Sequence, residues 1–124
     1  VHALGGYKVQ GKSASARESI IQDAIALEDA GVYAMVLEGI PSELSQAITE
    51  RVKIPTIGIG AGPHCDGQIL VLQDFLGLNI DFQPKFVKQF AKLADETRTA
   101  VNNYAAEVRQ KSFPEKEHSF HVNS

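Results

Sequence analysis

The chain has 124 residues, 44% of them hydrophobic and 22% charged, and 12 Lys and Arg against 15 Asp and Glu leave a net charge of −3. That balance excludes a disordered or collagen-like polymer and supplies enough apolar material for one packed domain. No apolar run approaches the roughly 20 residues of a membrane helix, and no basic stripe gives the footprint of a nucleic-acid binder.

The start, Val1-His2-Ala3-Leu4-Gly5-Gly6, has neither the basic nor the apolar region of a secretion signal. With no initiator Met, it is expected to begin inside a longer chain. Gly5 to Lys12 is turn-rich and reads as a loop. Ser15 followed by Glu18 has capping-box spacing, in which hydroxyl and carboxylate satisfy orphan backbone N–H groups. Ile20, Ala24 and Leu27 then share a helical face and Gly31 supplies a terminator, so a helix is predicted over about 16–30.

Tyr33-Ala34-Met35-Val36-Leu37 is a short continuous apolar run, the pattern of a parallel strand buried on both faces. Pro41 suits the first turn of a second helix, for which Leu44, Ala47, Ile48 and Val52 form the inward stripe. A second buried strand is predicted at 55–59, running into Gly60-Ala61-Gly62-Pro63, and a third at 69–72. Residues 73–84 read as an irregular connection. Phe86, Phe90, Leu93, Thr97, Val101, Tyr104 and Val108 recur at helical gaps, which predicts a long helix over about 85–111. Pro114 ends it, and residues 113–124 read as a polar tail.

Buried strands alternating with amphipathic helices imply an α/β fold with a parallel sheet. Three strands cannot close a barrel, which in its eight-stranded form takes about 250 residues. The chain is therefore expected to be about half of one barrel domain rather than a small complete one.

Glu38 is the first candidate for chemistry. It directly follows the strand 34–37, at the carboxyl edge where parallel α/β folds build active sites. Apolar surroundings raise the pKa of such a carboxylate and make it a better base near neutrality; a Glu swung into solvent or capping the next helix fits the position as well. Gly58-Ile59-Gly60-Ala61-Gly62 either brings backbone N–H groups to an anion or makes a tight packed turn. Pro63 and the apolar run that follows argue against a dinucleotide fingerprint. His64, Cys65 and Asp66 are adjacent, but consecutive residues rarely face one ion and no further ligand stands at metal spacing. Asp66-Gly67 is more simply a turn into the third strand. His118 and His121 fall in the polar tail, and Tyr7 and Lys8 in the opening loop. The lone Cys65 excludes an internal disulfide and fits a reducing cytoplasm.

Gly5-Gly6-Tyr7-Lys8-Val9-Gln10-Gly11, Val36-Leu37-Glu38 with Pro41, Ile54 through Gly62, Asp66-Gly67-Gln68-Ile69-Leu70-Val71 and the ending from Phe113-Pro114 to His121 together resemble the ketopantoate hydroxymethyltransferase family. The resemblance covers nearly the whole chain, in the family's order. It implies a (βα)8 TIM barrel of the phosphoenolpyruvate/pyruvate type, of which these residues supply about the last three strands and the C-terminal helix. It implies a cytoplasmic homo-oligomer, typically a decamer, that moves a one-carbon unit from 5,10-methylenetetrahydrofolate to 3-methyl-2-oxobutanoate, giving 2-dehydropantoate for pantothenate and coenzyme A synthesis. Glu38 matches the family's catalytic glutamate. The Mg2+ that holds the 2-oxo acid has its ligands on earlier strands, upstream of Val1, so no metal ligand is assigned here and the chain alone is expected to be inactive. Two other readings stand beside this one: a non-catalytic anion-binding α/β module using 58–62, and a related barrel lyase acting on a 2-oxo acid.

Overall fold

Helix α1 (Ala14–Asp29) starts at Ser13, whose extended backbone lets its hydroxyl accept from Ala16 N–H at 3.2 Å. The predicted Ser15–Glu18 capping box does not form. Ser13 captures the first orphan donor two residues earlier, and the Glu18 carboxylate instead accepts from the Gln22 amide at 2.8 Å. Ala30 caps the far end, and Gly31 follows at φ +89°, as its sequence position implied. Of the predicted inner face, Ala24 is buried and Ile20 packs against the core, whereas Ile21 takes the buried place expected of Leu27, which is 49% exposed.

The computed structural model describes residues 9–122, so the Gly5–Lys8 part of the predicted opening loop lies outside it, and residues 9–12 form no regular element. Strand β1 (Met35–Glu38) pairs in parallel with β2 (Thr56–Ile59), and β2 pairs in parallel with the two-residue β3 (Gly67–Gln68). The strands lie side by side in chain order. Helix α2 (Ser42–Arg51) links β1 to β2 and begins at Pro41, where a missing N–H leaves no helical bond unmade. Its stripe is the predicted one: Leu44, Ile48 and Val52 are buried and Ala47 packs beside them. With Ile21, Ala24, Met35, Leu37, Ile40 and Ala61 they make one core between the two helices and one face of the sheet.

Two strand expectations are corrected. Strand β1 is buried on one face only: Met35 and Leu37 point into the core, while Val36 is 53% exposed and Glu38 is exposed as well. One helical layer can cover only one side of a pleated sheet. The third strand is not at 69–72. Its register sets Ile57 opposite Gly67 and Gly58 opposite Gln68. Ile69 N–H still reaches Gly58 O at 3.0 Å, but β2 then turns away at Gly60, where φ is +64°. The apolar run outlasts its partner, and Leu72 opens a helix instead.

The chain divides into two compact units, residues 9–71 with 85–87, which hold the sheet, and residues 72–84 with 88–122. In the second, the expected irregular connection contains a short helix, α3 (Leu72–Phe75). The long helix, α4 (Leu93–Gln110), starts eight residues later than predicted. Tertiary bonds override the helical spacing of 85–92: Phe90 N–H donates to Phe75 O at 2.7 Å and the two rings meet edge to face. Leu76 O and Gly77 O then accept from Leu93 and Ala94 N–H, filling the role of a side-chain cap that Lys92 does not provide. The predicted stripe of α4 is not buried within the described residues: Val101, Tyr104 and Val108 are 58%, 58% and 44% exposed. The tail departs from a purely solvated end, because Phe113 stacks edgewise on Tyr104 and the His118 ring tilts over Phe113. No helix among the described residues is long and apolar enough to cross a membrane.

Ile48, fully buried between α2 and the sheet, tests the core. Ile48→Ala is expected to lower the unfolding free energy of the full-length protein by about 2–5 kcal/mol in a urea titration; a loss within the ~0.5 kcal/mol typical of surface changes would contradict this packing.

Candidate active site

Glu38 is the last residue of β1, paired across the ladder with Ile59 at the end of β2. Paired positions of parallel strands share a face, so Val36, Glu38, Ile57 and Ile59 line the side of the sheet that the helices leave open. The carboxylate therefore stands at the carboxyl edge beside apolar neighbours, with its side chain exposed.

The backbone there is held more firmly than the side chain. Gly39 follows with φ +62°, a value that an L side chain adopts only with strain. Its N–H donates to Ile59 O at 3.0 Å, and its carbonyl accepts from Gln10 N–H, also at 3.0 Å. The chain then enters buried Ile40 and Pro41. The alternative of Glu38 capping the next helix is not what occurs, since the N-cap is Pro41 and makes no side-chain bond.

The glycine-rich turn after β2 proves to be a packing device. A Cβ on Gly58 would come within 3.0 Å of Cys65 Sγ, and one on Gly60 within 2.7 Å of the Phe86 ring. One on Gly62 would overlap Ser42. Ala61 is fully buried, its carbonyl takes the Ser45 hydroxyl, and the Gln68 amide donates to Gly62 O at 2.9 Å. Of the two readings left open by the sequence, the tight turn is the one formed.

Asp66 belongs to the other end of the sheet. Its Oδ2 accepts from Thr56 N–H at 2.8 Å and from the Thr56 hydroxyl at 3.1 Å, while Asp66 N–H donates back to Thr56 Oγ1 at 3.3 Å. With its proton given to Asp66, the Thr56 hydroxyl accepts from Thr49 at 2.8 Å. Thr56 is fully buried, so this network satisfies a polar group in the core. It also fixes the turn into β3 that the Asp66-Gly67 pair implied. His64 is exposed and Cys65 half-buried. Among the described residues no three His, Cys, Asp or Glu side chains gather as a metal cluster would require.

The sequence reading missed three of these contacts. Ser45 and Thr49 are polar residues on or beside an apolar helical stripe, and that misfit was the available signal for both. Glu28 was not singled out, yet its Oε1 accepts from Lys53 N–H at 2.6 Å and Ile54 N–H at 3.2 Å, tying the end of α1 to the turn before β2. A concavity lined by Val32, Tyr33, Ala34, Met35, Val36 and Ile57 opens at the start of β1, away from Glu38.

Comparison with known proteins identifies the family. Residues 1–116 match the family model described as ketopantoate hydroxymethyltransferase. The whole chain aligns at 55% identity with 40% of the Anaeromyxobacter dehalogenans protein named 3-methyl-2-oxobutanoate hydroxymethyltransferase. Proteins of the same name from Clostridium acetobutylicum and Cereibacter sphaeroides are 53% and 58% identical, over 99% and 97% of this chain and 45% and 43% of their own lengths. The chain thus spans a little over two fifths of the relatives it matches.

The assignment of Asp66 to structure rather than chemistry is testable. Asp66→Ala is expected to remove about 1–3 kcal/mol of stability by stranding the buried Thr56 hydroxyl, while His64→Ala changes stability by no more than ~0.5 kcal/mol. Thermal unfolding of both variants checks this; equal effects would contradict it.

Proposed function

The chain belongs to the ketopantoate hydroxymethyltransferase family, and from that membership we propose that it forms part of an enzyme that hydroxymethylates 3-methyl-2-oxobutanoate, with Glu38 as the base. The observation that carries the reading is a carboxylate at the carboxyl edge of a parallel sheet, on the face that α1 and α2 leave open.

On this reading the Glu38 carboxylate takes the proton from C3 of the 2-oxo acid. The C–H electron pair moves into the C2–C3 bond, and the carbonyl oxygen becomes an enolate oxygen. The enolate returns to a carbonyl as C3 bonds to the methylene carbon of 5,10-methylenetetrahydrofolate; both C–N bonds of that carbon break, the oxygen of water becomes the hydroxyl, and tetrahydrofolate leaves with one proton from water and the one taken from C3, giving 2-dehydropantoate. A general base must come within about 3 Å of the proton it removes, and an exposed carboxylate at a strand end is open to such an approach. Val36 and Ile59 beside it offer apolar surface suited to a branched hydrocarbon chain.

The described residues do not fit the Mg2+ that the resemblance implies. Among the described residues no three His, Cys, Asp or Glu side chains gather, and Oδ2 of the Asp66 carboxylate is committed to Thr56. The proton step proposed at Glu38 accordingly involves no metal held by the described residues. The parallel, sequentially ordered strands support their being the last three of an eight-stranded barrel of the phosphoenolpyruvate/pyruvate type, with α4 as its C-terminal helix and residues 113–124 as its tail. The same reading places the enzyme in the cytoplasm as a homo-oligomer, a decamer by family resemblance. The glycine turn no longer favours an anion-binding module, because its close approaches are to the protein itself.

Glu38→Gln in the full-length enzyme is expected to abolish deuterium exchange at C3 of 3-methyl-2-oxobutanoate, followed by proton NMR; exchange at the normal rate would sink the assignment. The 124-residue chain alone is expected to show no hydroxymethyl transfer with folate and 2-oxo acid supplied, and turnover by the isolated chain would contradict the proposed half-barrel.

A further inference from the structure

Residues 9–11 pass directly over the backbone that carries Glu38. Gln10 N–H donates to Gly39 O at 3.0 Å, while Gly39 N–H donates to Ile59 O. The residue after the carboxylate is therefore gripped from both flanks, by β2 and by the 9–11 segment. That segment has no strand or helix of its own to hold it. Among the described residues, two contacts at Gly11 help to hold it. Gly11, buried and at φ +70°, lies so close to Leu44 and Ile20 that a Cβ would overlap the Leu44 side chain. Its carbonyl accepts from Arg17 Nε at 3.1 Å, six residues on and one turn into α1.

We propose that Arg17 is a positioning residue for Glu38, acting through the strap at residues 9–11 that clamps the Gly39 peptide. The line of force is short: hydrogen bonds join the Arg17 guanidinium to the Gly11 carbonyl and Gln10 N–H to the Gly39 carbonyl, and the covalent backbone joins Gly39 to Glu38. An N–H of a planar guanidinium fixes the carbonyl in direction as well as distance. Gly39 needs such a clamp more than most residues would, because glycine permits wide backbone rotation and the exposed Glu38 side chain makes no hydrogen bond among the described residues. The inference rests on the reading of Glu38 as the base, but it concerns how that base is aimed, and it separates binding from proton transfer. A slack strap leaves the carboxylate present and charged yet displaced, and displacement of about 1 Å at a reacting group can cost on the order of 100-fold in rate.

The test measures C3 deuterium exchange and substrate binding in the full-length enzyme. Arg17→Ala is expected to slow exchange by about tenfold or more, with the Kd for 3-methyl-2-oxobutanoate within about twofold of wild type. Arg17→Lys, which keeps a donor in reach of Gly11 O but not the planar geometry, is expected to recover part of the rate. Exchange at the wild-type rate in folded Arg17→Ala overturns the proposal. So does a loss of binding that matches the loss of exchange, which is what a merely structural role would give. If Arg17→Ala fails to fold, Arg17→Lys carries the same comparison, and failure of both to fold also overturns it. Glu38→Gln, run alongside, keeps the two readings apart: full exchange in that variant defeats Glu38 as base, whereas its loss together with an unaffected Arg17→Ala defeats only the strap.

Discussion

The parallel ladder between β1 and β2 is the constraint from which the rest of the first unit follows. By setting Met35 opposite Thr56 and Glu38 opposite Ile59, it fixes which side chains meet α1 and α2 and which do not. A shift of one residue would exchange the two faces, burying Glu38 in the core and exposing Leu37. Thr56, held by Asp66 and Thr49, anchors one end of that register; Gly39, bonded to Ile59 O, anchors the other. Structure and proposed chemistry are thus tied to the same ladder at opposite ends.

That division explains why so many chemically suggestive residues prove to be architectural. A dense group of glycine, histidine, cysteine and aspartate between 58 and 67 looks like a site in one dimension. In three it is a seven-residue return from the end of β2 to the start of β3, too short for a helix. A parallel connection that brief must run close to the sheet. Small residues let it do so, and Asp66 supplies the hydrogen bonds that secure its far end. Glu38 has the opposite character: among the described residues its side chain makes no bond that would give it a structural duty, and it lies on the face that α1 and α2 leave open.

Much of this was legible in the chain. The α2 stripe, the parallel arrangement, the glycine terminator of α1 and the strand-end position of Glu38 all follow from local periodicity and chemistry. Burial of β1 on both faces did not follow, because a continuous apolar run reports what a strand is suited to meet and not which partner is present. The third strand and the start of α4 were misplaced for a shared reason. Residues 69–72 and 85–92 carry valid patterns, but the turn of β2 at Gly60 and the bonding of Phe90 to Phe75 decide how far each pattern can be used. Family resemblance supplied the substrate and the one-carbon donor; nothing in composition or spacing could have.

The open face and edge of the sheet bear on what else the unit can accept. Val36, Ile57 and Ile59 lie on a side without a helical layer, and among the described residues β1 ends the sheet with one row of backbone donors and acceptors unpaired by another strand. An edge of that kind is a template for adding any extended segment, native or foreign. The geometry that leaves Glu38 exposed at the end of β1 thus also leaves that strand able to take on a further one.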